Sequence, residues 1–170
     1  LPITVKDQYG NLYTTNVKVE VAARTKKNAN DFDWDESVIY FMVTDRFFDG
    51  NKSNNTANGA ETYGKNEGLY HGGDFAGVTQ KLDYLEQLGI NTIWITPIVK
   101  NIKGVNVTDK GKENVPYNAA YHGYWASDFT TLNKHLGTEE EFKTLLDSAH
   151  KKGMKVMVDV VLNHAGYNTE

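Results

Sequence analysis

Three continuous apolar runs alternate with two segments of helical periodicity, and that alternation narrows the fold more than any other feature. "VIYFMVT" (38–44), "NTIWITPIV" (91–99) and "KVMVDVVLN" (155–163) read as buried strands. Between them, "GVTQKLDYLEQLG" (77–89) puts Val78, Leu82 and Leu85 on one face and stops at Gly89. "TEEEFKTLLDSAHKKG" (138–153) opens with a capping box, Thr138 as N-cap and Glu141 three residues on. Phe142, Leu145, Leu146 and Ala149 form its buried stripe, and Gly153 ends it. Continuous apolar strands alternating with amphipathic helices predict an α/β fold, a parallel sheet covered by helices.

The connections are unequal. Helix-to-strand joins are short, Gly89 to Thr92 and Gly153 to Val156, whereas the strand-to-helix loops run from 45 to 74 and from 100 to 133. Long loops after strand C-termini are where (β/α) proteins build active sites. Asp159, Asn163 and His164 fall at that end of the third strand. A closed barrel needs eight βα units and about 250 residues. Three units are therefore expected to be the N-terminal part of a barrel; the alternative is an open sheet whose edge, 155–162, invites pairing.

Residues 1–30 belong to a different pattern. "ITVKDQYGNLYTTNVKVEVAA" has a Tyr-Gly-Asn turn between two runs, and Val17, Val19 and Val21 alternate with polar neighbours. A polar linker follows, which places a boundary near residue 30 and a second domain over 31–170. So short a β-segment cannot bury a core alone. It is expected to be the last hairpin of a preceding β-domain; the alternative is an edge decoration.

Charge and composition exclude some functions. A net charge of −4 argues against a nucleic-acid partner. No run of eighteen apolar residues suggests a membrane span. The absence of cysteine rules out disulfides. The opening "LPITVKDQYG" lacks the features of a signal peptide. Ten Tyr and three Trp hint at a wet aromatic surface such as a carbohydrate groove.

Three stretches could carry chemistry. "DGNKSNN" (49–55) with "HGGD" (71–74) collects Asp49, Asn51, Asn54, Asn55, Asp74 and a carbonyl such as that of Gly72. Oxygen donors at this spacing suit a hard cation, calcium above all. It is not an EF-hand, because Asn54 and Ala60 stand where that loop needs Gly and Glu. The plain alternative is a solvated turn cluster. "AYHGYWASDF" (120–129) offers rings that could stack on pyranose faces or simply pack the loop. In "DVVLNH" (159–164), a buried Asp159 needs a cation or several donors. Asn163 there could ligate a cation or cap a turn.

These stretches carry a family resemblance. "DVVLNH" resembles the first signature region of the α-amylase family, glycoside hydrolase family thirteen. "VIYFMVTDRFFDGNKSNN", "GGDFAGVTQKLDYLEQLGINTIWITPI" and the stretch from "AYHGYW" to "VVLNH" resemble the same family in the same order, covering roughly 36–170. The resemblance implies the first three βα units of a TIM (β/α)₈ barrel acting on α-1,4-glucans such as starch and maltodextrins. It implies a calcium loop like that of cyclodextrin glucanotransferases, held by Asp49, Asn51, Asn54, Asn55, Asp74 and the Gly72 carbonyl. It also implies that Asn163 ligates another calcium, that His164 hydrogen bonds the sugar beside the scissile bond, that Tyr124 stacks on that sugar with Trp125 beside it, and that Asp159 pairs with an arginine beyond this chain.

The same resemblance implies what is missing. The family cleaves with retention, through an Asp nucleophile and a Glu acid/base roughly 5 Å apart. Both lie beyond the fourth strand, and Glu170 is no substitute for either. The chain is thus expected to come from an extracellular or cell-surface glycosidase and to lack turnover alone. Alternatives are a glucanotransferase-like transglycosylase and a non-catalytic calcium- or glucan-binding module.

Overall fold

In a computed structural model, which describes residues 1–20, 33–106 and 117–167, the three apolar runs form one parallel sheet. The elements in chain order are β1 (Pro2–Lys6), β2 (Leu12–Asn16), β3 (Ile39–Met42), α1 (Phe75–Gln80), α2 (Leu82–Gln87), β4 (Thr92–Ile95), β5 (Val99–Asn101), β6 (Val105–Asn106), β7 (Tyr117–Asn118), β8 (Ala126–Leu132), α3 (Glu139–Lys151) and β9 (Lys155–Val158). The sheet order is β3-β4-β9, with Ile39 opposite Thr92 and Thr92 opposite Lys155. The described residues fall into two units, one within Leu1–Trp34 and one within Asp35–Glu170.

Strand alternation sorts the sheet's two faces. Tyr40, Met42, Ile93, Ile95, Val156 and Val158 meet Phe75, Val78, Leu82, Leu85, Leu145 and Ala149 of the helices in one apolar core. On the other face, Phe41 packs edge-on against Trp94 at 5.0 Å, and Ile39 and Phe41 stay nearly half exposed. Trp94 Nε1 is buried there without a hydrogen-bond partner among the described residues. Among those residues, β9 pairs with β4 alone, so the expected open edge is present.

Element limits differ from the sequence expectation for local reasons. The helix expected over 77–89 starts at Phe75, because Asp74 caps it by accepting from Gly77 N at 2.6 Å. It also breaks at Lys81, whose φ of −103° and ψ of 8° separate α1 from α2. β4 stops at Ile95, two residues before Pro97, which has no N–H to offer a ladder. β9 therefore loses its partner after Val158, and Asp159 N to Ile95 O is the last rung. The expected loop 100–133 instead contains the antiparallel pairs β5–β8 and β6–β7.

In the N-terminal unit, β1 and β2 form a hairpin whose turn is held by Asp7, which accepts from Tyr9 N and Asn11 N, each at 2.9 Å. β2 ends at Asn16, so Val17 and Val19 are exposed outside any strand. Val21 and the boundary expected near residue 30 lie outside the described residues.

Candidate functional site

Two clusters stand at the C-terminal ends of the parallel strands. The first is the loop from Phe48 to Asn55 with the segment His71–Asp74. Asp45, in the 3-10 turn after β3, anchors it: its carboxylate accepts from His71 N at 3.0 Å and Gly72 N at 3.1 Å, and Arg46 Nη1 lies 3.1 Å away. Burial pushes the Asp45 carboxyl up from its ordinary range, against those donors. Asp74 is fully buried and saturated. Its Oδ1 accepts from Gly77 N and Gly50 N, its Oδ2 from Asn51 N and Asn54 Nδ2, at 2.6 to 3.1 Å.

Three of the remaining oxygens of this loop lack a donor among the described residues. Asn55 Nδ2 donates to Asp49 Oδ2 at 2.8 Å. Asp49 Oδ1, Asn54 Oδ1 and Asn55 Oδ1 are buried without a hydrogen-bond partner among the described residues. Gly72, at φ +95°, sits so close to the Asn55 amide that a side chain there would collide with it. Asn51 is otherwise engaged, Oδ1 accepting from Ser53 Oγ at 2.6 Å and Nδ2 donating to Glu141 Oε1 at 2.9 Å. Each orphaned buried acceptor costs about 1–3 kcal/mol. Three in one loop, all oxygen, form a donor set that fits a hard cation. Among the described residues no group of three or more His, Cys, Asp and Glu could hold a metal. The set here is one carboxylate, Asp49, supplemented by the amides of Asn54 and Asn55.

The second cluster joins the turn 118–125 to the end of β9. Tyr124 OH donates to Asp159 Oδ2 at 2.9 Å, and burial, with this bond and the Asp159 charge, pushes the phenol up to about 12. Tyr124 N donates to His122 Nδ1 at 3.0 Å, which leaves the His122 proton on Nε2. Burial and nearby Arg46 push His122 below the usual imidazole range. His164 Nε2 lies 3.1 Å from Tyr124 O, and a carbonyl only accepts, so His164 also carries its proton on Nε2. The Trp125 ring meets His122 edge-on at 4.5 Å and Tyr167 at 5.4 Å. The turn is strained: Ala120 has φ 53°. Its carbonyl accepts from Tyr70 OH at 3.4 Å, and Asn133 Nδ2 donates to that same hydroxyl at 3.0 Å.

Comparison with known proteins decides the family. A family model, the alpha amylase catalytic domain, matches residues 41–170. The chain belongs to the alpha-amylase family. It is 45% identical over 139 residues to the periplasmic alpha-amylase of Escherichia coli, covering 81% of this chain and 20% of that protein. It is 39% identical over 160 residues to a cyclomaltodextrin glucanotransferase of Geobacillus stearothermophilus, covering 92% of this chain and 21% of that protein. The solved structure of an Anoxybacillus alpha-amylase superposes with a TM-score of 0.67 at 39% identity, over 81% of this chain and 26% of that one. The chain thus spans only about a fifth to a quarter of the length of these relatives.

Within this alpha-amylase-family chain, the residues expected to act together divide into two groups. Tyr124, Asp159 and His164 are joined by hydrogen bonds, and Trp125 follows Tyr124 directly. Asp49, Asn51, Asn54, Asn55, Gly72 and Asp74 form the other connected group. Asn163 belongs to neither. It is exposed, and among the described residues its amide reaches only His164 Nδ1, at 3.4 Å. Asp45 is not legible in the sequence, because an acid just after a strand carries no periodic signal. His122 was visible only as part of an aromatic stretch.

Proposed function

We propose that this chain is the N-terminal part of an α-amylase-type (β/α)₈ catalytic domain, preceded by a β-hairpin from an adjoining domain. The complete protein would hydrolyse α-1,4-glucans with retention. The single observation that carries this reading is the Tyr124–Asp159–His164 network at the strand C-termini of a chain in this family. Tyr124, a neutral phenol fixed by Asp159, would present its ring to a sugar, with Trp125 alongside. His164 has its Nε2 proton on the Tyr124 carbonyl, so it would meet a sugar hydroxyl as an acceptor through Nδ1. Asp159 would be a supporting residue. The nucleophile and the acid/base would come from outside these residues.

Calcium would be held by Asp49, Asn54 and Asn55, whose buried oxygens lack donors, with Asn51, Asp74 and the Gly72 carbonyl completing the set. When bound it supplies positive charge that ties the two loop segments together. Asn163 would ligate a further calcium. A periplasmic relative supports an extracellular, cell-surface or periplasmic location. A glucanotransferase-type transglycosylase is the second reading, favoured by the match to such an enzyme over 92% of this chain.

The test is reducing-sugar release from soluble starch by the complete protein carrying this chain, beside a Tyr124→Ala variant. Release that falls at least tenfold in the variant is expected. Wild-type protein that neither releases sugar nor forms cyclic or transferred products from maltoheptaose overturns the reading.

A further inference from the structure

We infer that Asn101 is a positioning residue for the aromatic groove: its buried amide sets the main chain of Trp125, and with it the ring offered to a glucan. This rests on the glucan reading above. Asn101 is 3% exposed at the end of β5. Its Oδ1 accepts from Trp125 N at 2.7 Å, and its Nδ2 donates to Val99 O at 2.8 Å. The strand is irregular here, with register shifts on both sides of Lys100 against β8. A bulged ladder leaves main-chain groups without their regular partners. The Asn101 side chain supplies one acceptor and one donor to two such groups.

The neighbouring contacts make Trp125 dependent on that amide. The Trp125 carbonyl accepts from Ile102 N at 2.9 Å, so the residue is held by a side chain at its N–H and by backbone at its C=O. The peptide that donates to Asn101 is the one that joins Tyr124 to Trp125. A rotation of that peptide displaces the Trp125 ring between His122 and Tyr167, and it disturbs the carbonyl of Tyr124 that His164 contacts. Few side chains can do what Asn101 does. Leucine has the shape but neither polar group. Aspartate can accept from Trp125 N, but it can donate to Val99 O only when protonated.

The experiment measures KM and kcat for maltoheptaose in the complete protein, as wild type, Asn101→Leu and Asn101→Asp. Asn101→Leu is expected to raise KM about five- to tenfold, the scale of one lost buried hydrogen bond, with kcat within about threefold of wild type. A purely structural role would instead lower kcat with the folded fraction and leave KM unchanged. Asn101→Asp is expected to lie between the two near pH 7. Its KM relative to wild type should recover as pH falls toward about 5, where the carboxyl takes up the proton it needs to donate. A KM for Asn101→Leu within twofold of wild type overturns the inference. If that variant does not fold, Asn101→Asp decides alone, and a KM ratio near one at every pH overturns it. Wild-type protein with no action on maltoheptaose fails the glucan reading itself, which active wild type with unchanged variants does not.

Discussion

Replacing His135 with glutamine should flatten the acid side of the chain's stability profile. His135 is 1% exposed and stacks on Tyr70 with ring centroids 3.7 Å apart. Thr62 Oγ1 donates to Gly59 O at 2.7 Å, so its contact with His135 Nε2 at 3.3 Å needs the proton on the imidazole. Nδ1 is then the unprotonated nitrogen, and it is buried without a partner among the described residues. A second proton would have to sit on that atom, away from water, and burial pushes the imidazole from 6.5 down to about 4. Above pH 6.5 neither the folded nor the unfolded form binds this proton. Below it the unfolded chain takes up a proton that the fold refuses, so stability falls as pH drops from 6.5 toward 4. Linkage gives a loss of ~2 kcal/mol between pH 7 and pH 5, and ~3 kcal/mol by pH 4. The assay is urea unfolding of wild type and His135→Gln at those three pH values. The stability of wild type relative to His135→Gln should fall by ~2 kcal/mol from pH 7 to pH 5, whatever the substitution costs at neutral pH. A change below ~0.5 kcal/mol would refute the argument, because it would mean the imidazole titrates alike in both states.

Three other outcomes follow from the packing and the loops. Leu145→Ala, at a fully buried position facing the sheet, should lower unfolding stability by about 2–5 kcal/mol in urea titrations. Gly77→Ala should lower the melting temperature, although alanine favours a helix by about 1 kcal/mol, because its Cβ would meet the Phe48 carbonyl; a rise would mean the loop yields. Added calcium should raise the melting temperature, by up to ~2.7 kcal/mol of stabilisation at a hundred times Kd, and Asp49→Ala should abolish the shift.

What the sequence disclosed was whatever repeats. The buried stripe of α3, its capping box at Thr138 and Glu141, and the three parallel strands all follow from periodic burial, and the structure has them. Element ends were hidden because they depend on neighbours. β9 stops at Val158 because β4 has turned away, and nothing in "DVVLNH" encodes that. α1 starts at Phe75 because Asp74 serves as a cap, a role that loop composition alone does not distinguish from that of a cation ligand. β8 is hidden in the sequence because "ASDFTTL" is neither continuously apolar nor alternating, in keeping with its irregular burial, Ala126 buried and Ser127, Phe129, Thr130 and Thr131 exposed.

The same limit applies to the acids, and hydrogen-bond counting resolves part of it. Asp45, Asp49 and Asp74 lie in one polar region and look alike in sequence. Asp45 accepts from two backbone N–H groups and faces Arg46, and Asp74 accepts from four donors. Both have a complete structural role without any ion. Asp49 has one oxygen on Asn55 and one buried with no donor, as do the amides of Asn54 and Asn55. Buried acceptors without donors are unfavourable unless something positive meets them. The oxygens left open to a cation or a water among the described residues are therefore those of Asp49, Asn54 and Asn55. Substitution at Asp74 should cost the fold its helix cap whether or not calcium is present, whereas substitution at Asp49 should cost one hydrogen bond, that from the Asn55 amide, together with the response to the ion.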